Sequence, residues 1–179
     1  MMQLDIQKAY DIIDWRAMEC VLKEVGFPNQ FTNWIMIAVT SVSYRFNING
    51  NHTTIMKANR GLRQGDPISS LLFVIMMEYL NWCFQRMQKN HNFNFHAKCE
   101  KLNLTNLCFA DDLLLFSRGD KESVAIMMET FEKFSKTTGL KVNPAKCCIF
   151  FGGVDQNIRD EIKGITHFEE GKFVGTKCV

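Results

Sequence analysis

The chain has 179 residues, 46% of them apolar and 22% charged, with a formal net charge of +2 at pH 7. That length suits one compact domain with a sizeable core, and the composition excludes a wholly disordered or collagen-like chain. So small a net charge gives a weak overall field, so contact with a polyanion must be local or assisted by bound cations.

Met2, Leu4 and Ile6 alternate with polar residues, which predicts a strand over 1–6. Asp14 is placed to cap a helix carrying Trp15, Met18, Leu22 and Val25 at helical spacing, with Gly26 at its end. Pro28 suits the first turn of a second helix, with Phe31, Trp34, Ile35, Ala38 and Val42 on one face. Residues 44–48, the Asn49-Gly50 turn and residues 53–56 read as a hairpin. A Gly-rich loop, 61–67, then leads into a long helix marked by Leu72, Ile75, Met76, Tyr79, Cys83 and Met87. Two apolar runs, 104–110 and 113–117, flank Asp111-Asp112 and read as a buried hairpin with a charged tip. Asp120 is placed to cap a helix with Val124, Met127, Met128, Phe131 and Phe134 inward, ending at Gly139. Short strands at 140–143 and 147–151 surround Pro144, and beyond Gly153 the pattern weakens. This order of elements predicts an α+β fold with antiparallel pairing.

Glu78 and Arg86 interrupt the longest apolar stretches, which argues against a membrane span. No basic stretch followed by an apolar run opens the chain, so a soluble, intracellular protein is expected, with nucleus and cytoplasm not distinguished. The 7 cysteines form no Cys-x-x-Cys pair, so reduced thiols are expected and structural zinc is not. His96 and Cys99 have ligand-like spacing but no second pair, and read as ordinary surface and core residues.

Three carboxylates stand apart by position. Asp5 ends the first apolar strand, and Asp111 and Asp112 occupy the tip of the central hairpin. Adjacent carboxylates among apolar neighbours repel each other, and a hard cation such as magnesium would relieve that repulsion. Two such ions about 3.5–4 Å apart serve phosphoryl displacement by activating the attacking hydroxyl and stabilising the leaving oxygen. An Asp pair between strands, taken by itself, is more often just a solvated turn.

Four segments occur in order: Leu4-Asp-Ile-Gln-Lys-Ala-Tyr-Asp11, Gly61-Leu-Arg-Gln-Gly-Asp-Pro-Ile-Ser69, Phe109-Ala-Asp-Asp112 and Gly139-Leu-Lys-Val-Asn-Pro-Ala-Lys146. Together they resemble the successive palm motifs of reverse transcriptases, those of plant LINE-type (non-LTR) retrotransposons above all. The resemblance runs over residues 1–172, with 173–179 as a divergent tail. It implies a palm with an antiparallel sheet covered by helices on one face, fingers and thumb being largely missing.

By that resemblance Asp5, Asp111 and Asp112 are the catalytic, metal-binding carboxylates, Asp112 being the more peripheral one, with two Mg²⁺ or Mn²⁺ ions as cofactors. Tyr10 would floor the sugar site, although a core tyrosine is the plainer reading. Gln64 and Gly65, with Arg63 in the same loop, would meet the incoming nucleotide and template. Lys146 would protonate departing pyrophosphate, or simply be a solvated lysine. Ser70 stands where the family commonly has proline. The implied activity is RNA-directed DNA polymerisation, with an RNA template, a DNA primer and deoxynucleoside triphosphates as partners and the oligomeric state open. The isolated chain is expected to be inactive without fingers and thumb. A catalytically inactive remnant or nucleic-acid-binding module is the alternative, and a palm-like nucleotidyl cyclase is disfavoured by the 63–67 loop.

Overall fold

The computed structural model describes residues 1–171. In chain order the elements are β1 (Met2–Gln7), α1 (Trp15–Val25), α2 (Asn29–Thr40), β2 (Ser43–Tyr44), β3 (Asn47–Ile48), β4 (Asn51–His52), β5 (Met56–Lys57) and α3 (Pro67–Met87). There follow β6 (Asn106–Phe109), β7 (Asp112–Leu115), α4 (Lys121–Thr138), β8 (Lys141–Val142), β9 (Cys148–Ile149), α5 (Gln156–Thr166) and β10 (Glu169–Glu170). Where the length suggested one compact domain, the described residues fall into two compact units. One comprises Met1–Gln7, Leu80–Ser135 and the residues from Lys141 on; the other comprises Lys8–Tyr79 and Lys136–Leu140. The expected tail at 173–179 lies outside the described residues.

The first unit holds a six-stranded sheet in the order β10-β9-β1-β7-β6, with β8 also pairing β1. Every pairing is antiparallel except β10 with β9, as the α+β reading expected. Period-2 alternation is strict in β1 and β7: Met2, Leu4, Ile6, Leu113 and Leu115 are all buried. Residues Val124, Met127, Phe131 and Phe134 of α4 are buried in this unit too, and Asp120 caps the helix by accepting from the Ser123 amide at 2.8 Å. The 104–117 hairpin departs from expectation in one strand. Only β7 is buried; Leu107 and Phe109 of β6 are exposed because β6 is the sheet edge. The sequence also left α5 and β10 unread, since α5 is mostly polar and buries only Ile162 and Thr166.

In the second unit Asp14 caps α1 as expected, accepting from the Arg16 and Ala17 amides at 2.8 and 3.2 Å, and Gly26 ends it at φ 96°. The face of α2 differs from expectation: Thr32, Ile35 and Val39 are buried, while Phe31 and Trp34 are exposed and Val42 lies beyond the helix. Large aromatics drew the stripe to the wrong side. The 44–56 hairpin forms as two short ladders, β2 with β5 and β3 with β4. Asn49 and Gly50 turn it with φ 51° and 84°, the double positive φ of a tight two-residue turn.

The long helix α3 is also shifted in phase: Phe73, Met77, Leu80 and Phe84 are buried, while Ile75, Tyr79 and Cys83 are half-buried. A nearly all-apolar helix offers little polar contrast from which to read its buried side. With only Glu78 and Arg86 charged in its 21 residues, α3 is long and apolar enough, by length and composition alone, to cross a membrane. That corrects the expectation that those two charges exclude a span. Its buried Leu72, Phe73, Met76, Met77, Leu80, Phe84 and Met87 are the pattern of a core helix.

Among the described residues, the Thr32 hydroxyl is buried without a hydrogen-bond partner. Such a group forfeits its hydration, so the near-isosteric Thr32→Val should stabilise the chain by about 1 kcal/mol. A higher urea midpoint at unchanged m-value checks this.

Candidate active site

Strand register decides where the carboxylates go. In β1 and β7, Leu4 pairs with Leu113 and Asp5 with Asp112. Since Leu4 and Leu113 are buried, Asp5 and Asp112 share the opposite face of the sheet. Residues directly opposite have Cβ atoms about 4.5–5.5 Å apart, and two like charges there repel unless a cation lies between them. Phe109 pairs with Asp112, leaving Ala110 and Asp111 as a two-residue turn. The Asp111 carbonyl accepts from the Ile6 amide at 3.0 Å, which ties the turn to the end of β1. Ala110 holds φ 52°, a left-handed conformation unfavourable for a residue with a Cβ. Asp111 and Asp112 are exposed, whereas the Asp5 side chain is only 19% exposed.

On its other edge β1 meets two short strands in succession. Met2 and Gln3 pair with β9, and Ile6 and Gln7 pair with β8. The turn joining β8 to β9 therefore comes alongside Asp5, and the Asn143 amide donates to the Asp5 carbonyl at 2.8 Å. Asn143 also accepts from the Ala145 amide through its side chain at 3.2 Å, shaping the Asn-Pro-Ala-Lys turn. At the end of that turn Lys146 Nζ reaches Asp5 Oδ2 at 3.3 Å. The Cys147 thiol donates to the Asn143 carbonyl at 3.1 Å, and burial pushes its pKa up, so it stays protonated near Asp5.

The remaining expected residues lie in the second unit. The 61–67 loop is fastened to residues 10–15 by the Gly61 amide to the Ile13 carbonyl, 2.8 Å, and the Leu62 amide to the Tyr10 carbonyl, 2.6 Å. The Trp15 indole N–H donates to the Gly61 carbonyl at 2.7 Å. Gln64 donates to Asp11 Oδ1 at 3.3 Å, and the Tyr10 ring stacks on Phe73 with centroids 5.2 Å apart. Tyr10 is half-buried, so part of it stays accessible beside this loop. Gly65 has φ 86° and open space where a Cβ would project, which leaves its backbone approachable. Asp11, Tyr44, Phe46, Leu62, Arg63 and Gln64 line a cavity of about 370 Å³.

The structure thus brings Asp5, Asp111, Asp112 and Lys146 to one end of a sheet, and gathers Tyr10, Arg63, Gln64 and Gly65 around one loop. Asp11, Trp15 and Asn143 hold these residues in place and were not assigned roles from sequence. Asp11 and Asn143 sit inside the quoted segments, but nothing there marks them as tethers; Trp15 reads as helix core. Among the described residues no three His, Cys, Asp or Glu side chains form a ready-made metal cage. Hard carboxylate oxygens on an open face do fit a cation of the magnesium type, which takes one or two carboxylates and fills its shell with water and phosphate.

The reverse transcriptase (RNA-dependent DNA polymerase) family pattern matches residues 1–178, and the chain belongs to that family. It is 27% identical, over 96% of its length, to a Pol polyprotein from a type-1 retrotransposable element R2 of Nasonia vitripennis, and covers 17% of that relative. A corresponding R2 polyprotein of Popillia japonica is 29% identical over 80% of the chain, which spans 23% of it. The chain therefore spans about a fifth of these non-LTR retrotransposon relatives. The fold is similar to apo telomerase from Candida tropicalis, with a TM-score of 0.63 at 14% identity, covering 87% of this chain and 31% of the telomerase chain.

Gly61 has φ 86°, and a Cβ there would meet the Asp11 carbonyl oxygen at 2.5 Å. Gly61→Ala should therefore destabilise the protein by about 2 kcal/mol or more, from left-handed strain plus displacement of the 10–15 segment. Denaturant unfolding measures the loss.

Proposed function

We propose that this chain is the metal-binding core of an RNA-directed DNA polymerase from a non-LTR retrotransposon, adding deoxynucleotides to a primer 3′-hydroxyl. A plant LINE-type element acting inside the cell is the finer form of this reading. One observation carries it: Asp5 lies opposite Asp112, with Asp111 in the adjoining turn and Lys146 on Asp5. A pair of Mg²⁺ or Mn²⁺ ions, when bound, would polarise the primer hydroxyl and the phosphate oxygens.

The chain's own residues supply placement and protons. Asp5 and Asp111 would hold the ions, with Asp112 adding negative charge beside them. Lys146, exposed and already hydrogen-bonded at this face, would carry a proton to departing pyrophosphate. Tyr10 would bound the sugar, and Gln64, Gly65 and Arg63 would meet the nucleotide and the RNA template. Gln64 is held by Asp11, so its amide is oriented before substrate arrives.

Manganese titration tests the cluster without requiring turnover. Asp5→Asn/Asp111→Asn should bind manganese at least about tenfold more weakly than the native chain, since one or two carboxylates supply the protein's share of the coordination. Equal affinity would leave the carboxylates as a solvated turn and favour an inactive remnant. Lys146 competes with a cation for Asp5 through a pair worth about 0.2–1 kcal/mol at this exposure. Lys146→Ala should therefore bind manganese about 1.5- to 5-fold more tightly, while slowing nucleotide addition in a fusion that carries fingers and thumb from a relative. Tighter metal binding with unimpaired addition would remove Lys146 from the chemistry.

A further inference from the structure

From Gly26 to Tyr44, 19 residues, the chain carries no Asp, Glu, Lys, Arg or His. Helix α2 occupies the middle of this stretch, and its buried face of Thr32, Ile35 and Val39 takes up only part of its apolar side chains. Phe31 is 41%, Trp34 58% and Ile37 57% exposed, and Ala38 is exposed as well. At 3.6 residues per turn these four fall in one arc of about 120° beside the buried stripe. A contiguous apolar arc of that kind marks an interaction surface.

The arc is ordered before anything meets it. The Phe31 ring lies against Phe27, with centroids 5.4 Å apart. The Thr40 hydroxyl donates to the Met36 carbonyl at 2.7 Å and the Ser41 hydroxyl to the Ala38 carbonyl at 3.0 Å, so covering this end of α2 would orphan neither hydroxyl. Glu19 and Lys23 of α1, which share a cavity with Asn29, Asn33 and Met36, pair with each other at 2.6 Å and leave no net charge there.

Neutrality selects the occupant. Helices that lie on anionic membranes carry Lys and Arg on their polar face, and α2 has neither. A charged peptide would lose hydration against this face and find no opposite charge. A second copy of the chain meets no such cost. Across a two-fold axis residue i meets j and j meets i, so an uncharged face opposes no like charges. The spacing is symmetric too, since Phe31 and Ile37 lie three residues to either side of Trp34. An antiparallel pair of helices centred on Trp34 would set Trp34 against Trp34 and Phe31 against Ile37 in both directions.

We propose that α2 is a self-association surface, through which two copies of this chain pair as antiparallel helices about an axis at Trp34. The exposed parts of Phe31, Trp34 and Ile37 present about 300 Å² of apolar surface, given that a whole aromatic side chain buries about 150–250 Å². A standard interface takes about 800 Å² per partner, so this dimer is small and reversible, with a dissociation constant between about 1 µM and 1 mM.

Sedimentation equilibrium of the full 179-residue chain, at loadings that cross that range, tests the proposal. The native chain should pass from monomer to dimer. Trp34→Glu and Trp34→Lys should each raise the dissociation constant about thirtyfold or more, as loss of a central aromatic anchor and an introduced like-charge pair require. Both replace an exposed side chain, and an unchanged urea midpoint verifies that each variant folds. An equimolar mixture of the two should associate more tightly than either alone, because only a Trp34-to-Trp34 contact brings the new charges together. Ile37→Ser, also at an exposed position, should weaken the dimer independently of Trp34. Asp5→Asn/Asp111→Asn should leave it unchanged, so the dimer and the carboxylate site are tested separately. A chain that stays monomeric at millimolar concentration overturns the proposal and leaves the α2 arc to another polypeptide. Association that withstands the Trp34 and Ile37 substitutions overturns it as well, placing the contact elsewhere on the surface. A mixture no tighter than its components contradicts the two-fold axis at Trp34.

Discussion

Leu4 and Leu113 face each other across β1 and β7, both fully buried, and the position of every candidate metal ligand follows from that contact. Side chains alternate between sheet faces, so burying Leu4 and Leu113 puts Asp5 and Asp112 on the other face. A register slip of one residue would move the apolar set to solvent and drive the carboxylates into the core, which neither half tolerates. Hydrophobic pairing thereby holds two mutually repelling groups together. The repulsion left at the tip of the hairpin is available to a cation.

The other edge of β1 completes the arrangement. Because β8 and β9 take separate halves of that edge, the turn between them is forced out beside Asp5. The Asn143 amide on the Asp5 carbonyl locates the turn, and Lys146 at its end finds the carboxylate. In the second unit the Gly61 loop depends on a comparable fastening, three backbone-directed bonds to residues 10–15 that only a residue without a Cβ permits. Both arrangements place polar groups on short irregular segments anchored by regular ones, which is how loops come to carry chemistry.

Much of this was legible in the sequence. Strict alternation identified β1 and β7, caps identified α1 and α4, and the four ordered segments pointed to the reverse transcriptase family to which the chain belongs. Asp5 and the Asp111-Asp112 tip were recognised as partners across more than a hundred residues through that resemblance rather than through periodicity. What escaped had physical reasons. In α2 a buried Thr32 replaced the expected aromatic stripe, because exposed Phe31 and Trp34 outweigh it in apolarity. In α3 apolar residues occupy nearly every face, so phase cannot be read. The mostly polar α5 buries only Ile162 and Thr166, too little for a periodic signal. Tethers such as Asp11 to Gln64 are long-range contacts, and nothing local announces them.

The central claim is that the β1–β7 register builds a cation site at Asp5 and Asp111. Paramagnetic broadening of assigned amide resonances during manganese titration tests it residue by residue. The account predicts that Asp5, Ile6, Asp111, Asp112 and Asn143 broaden first, and that Asp5→Asn/Asp111→Asn abolishes the effect. Early broadening centred elsewhere, on the exposed Glu129 and Glu132 of α4 for example, with the aspartate amides still sharp, would contradict it.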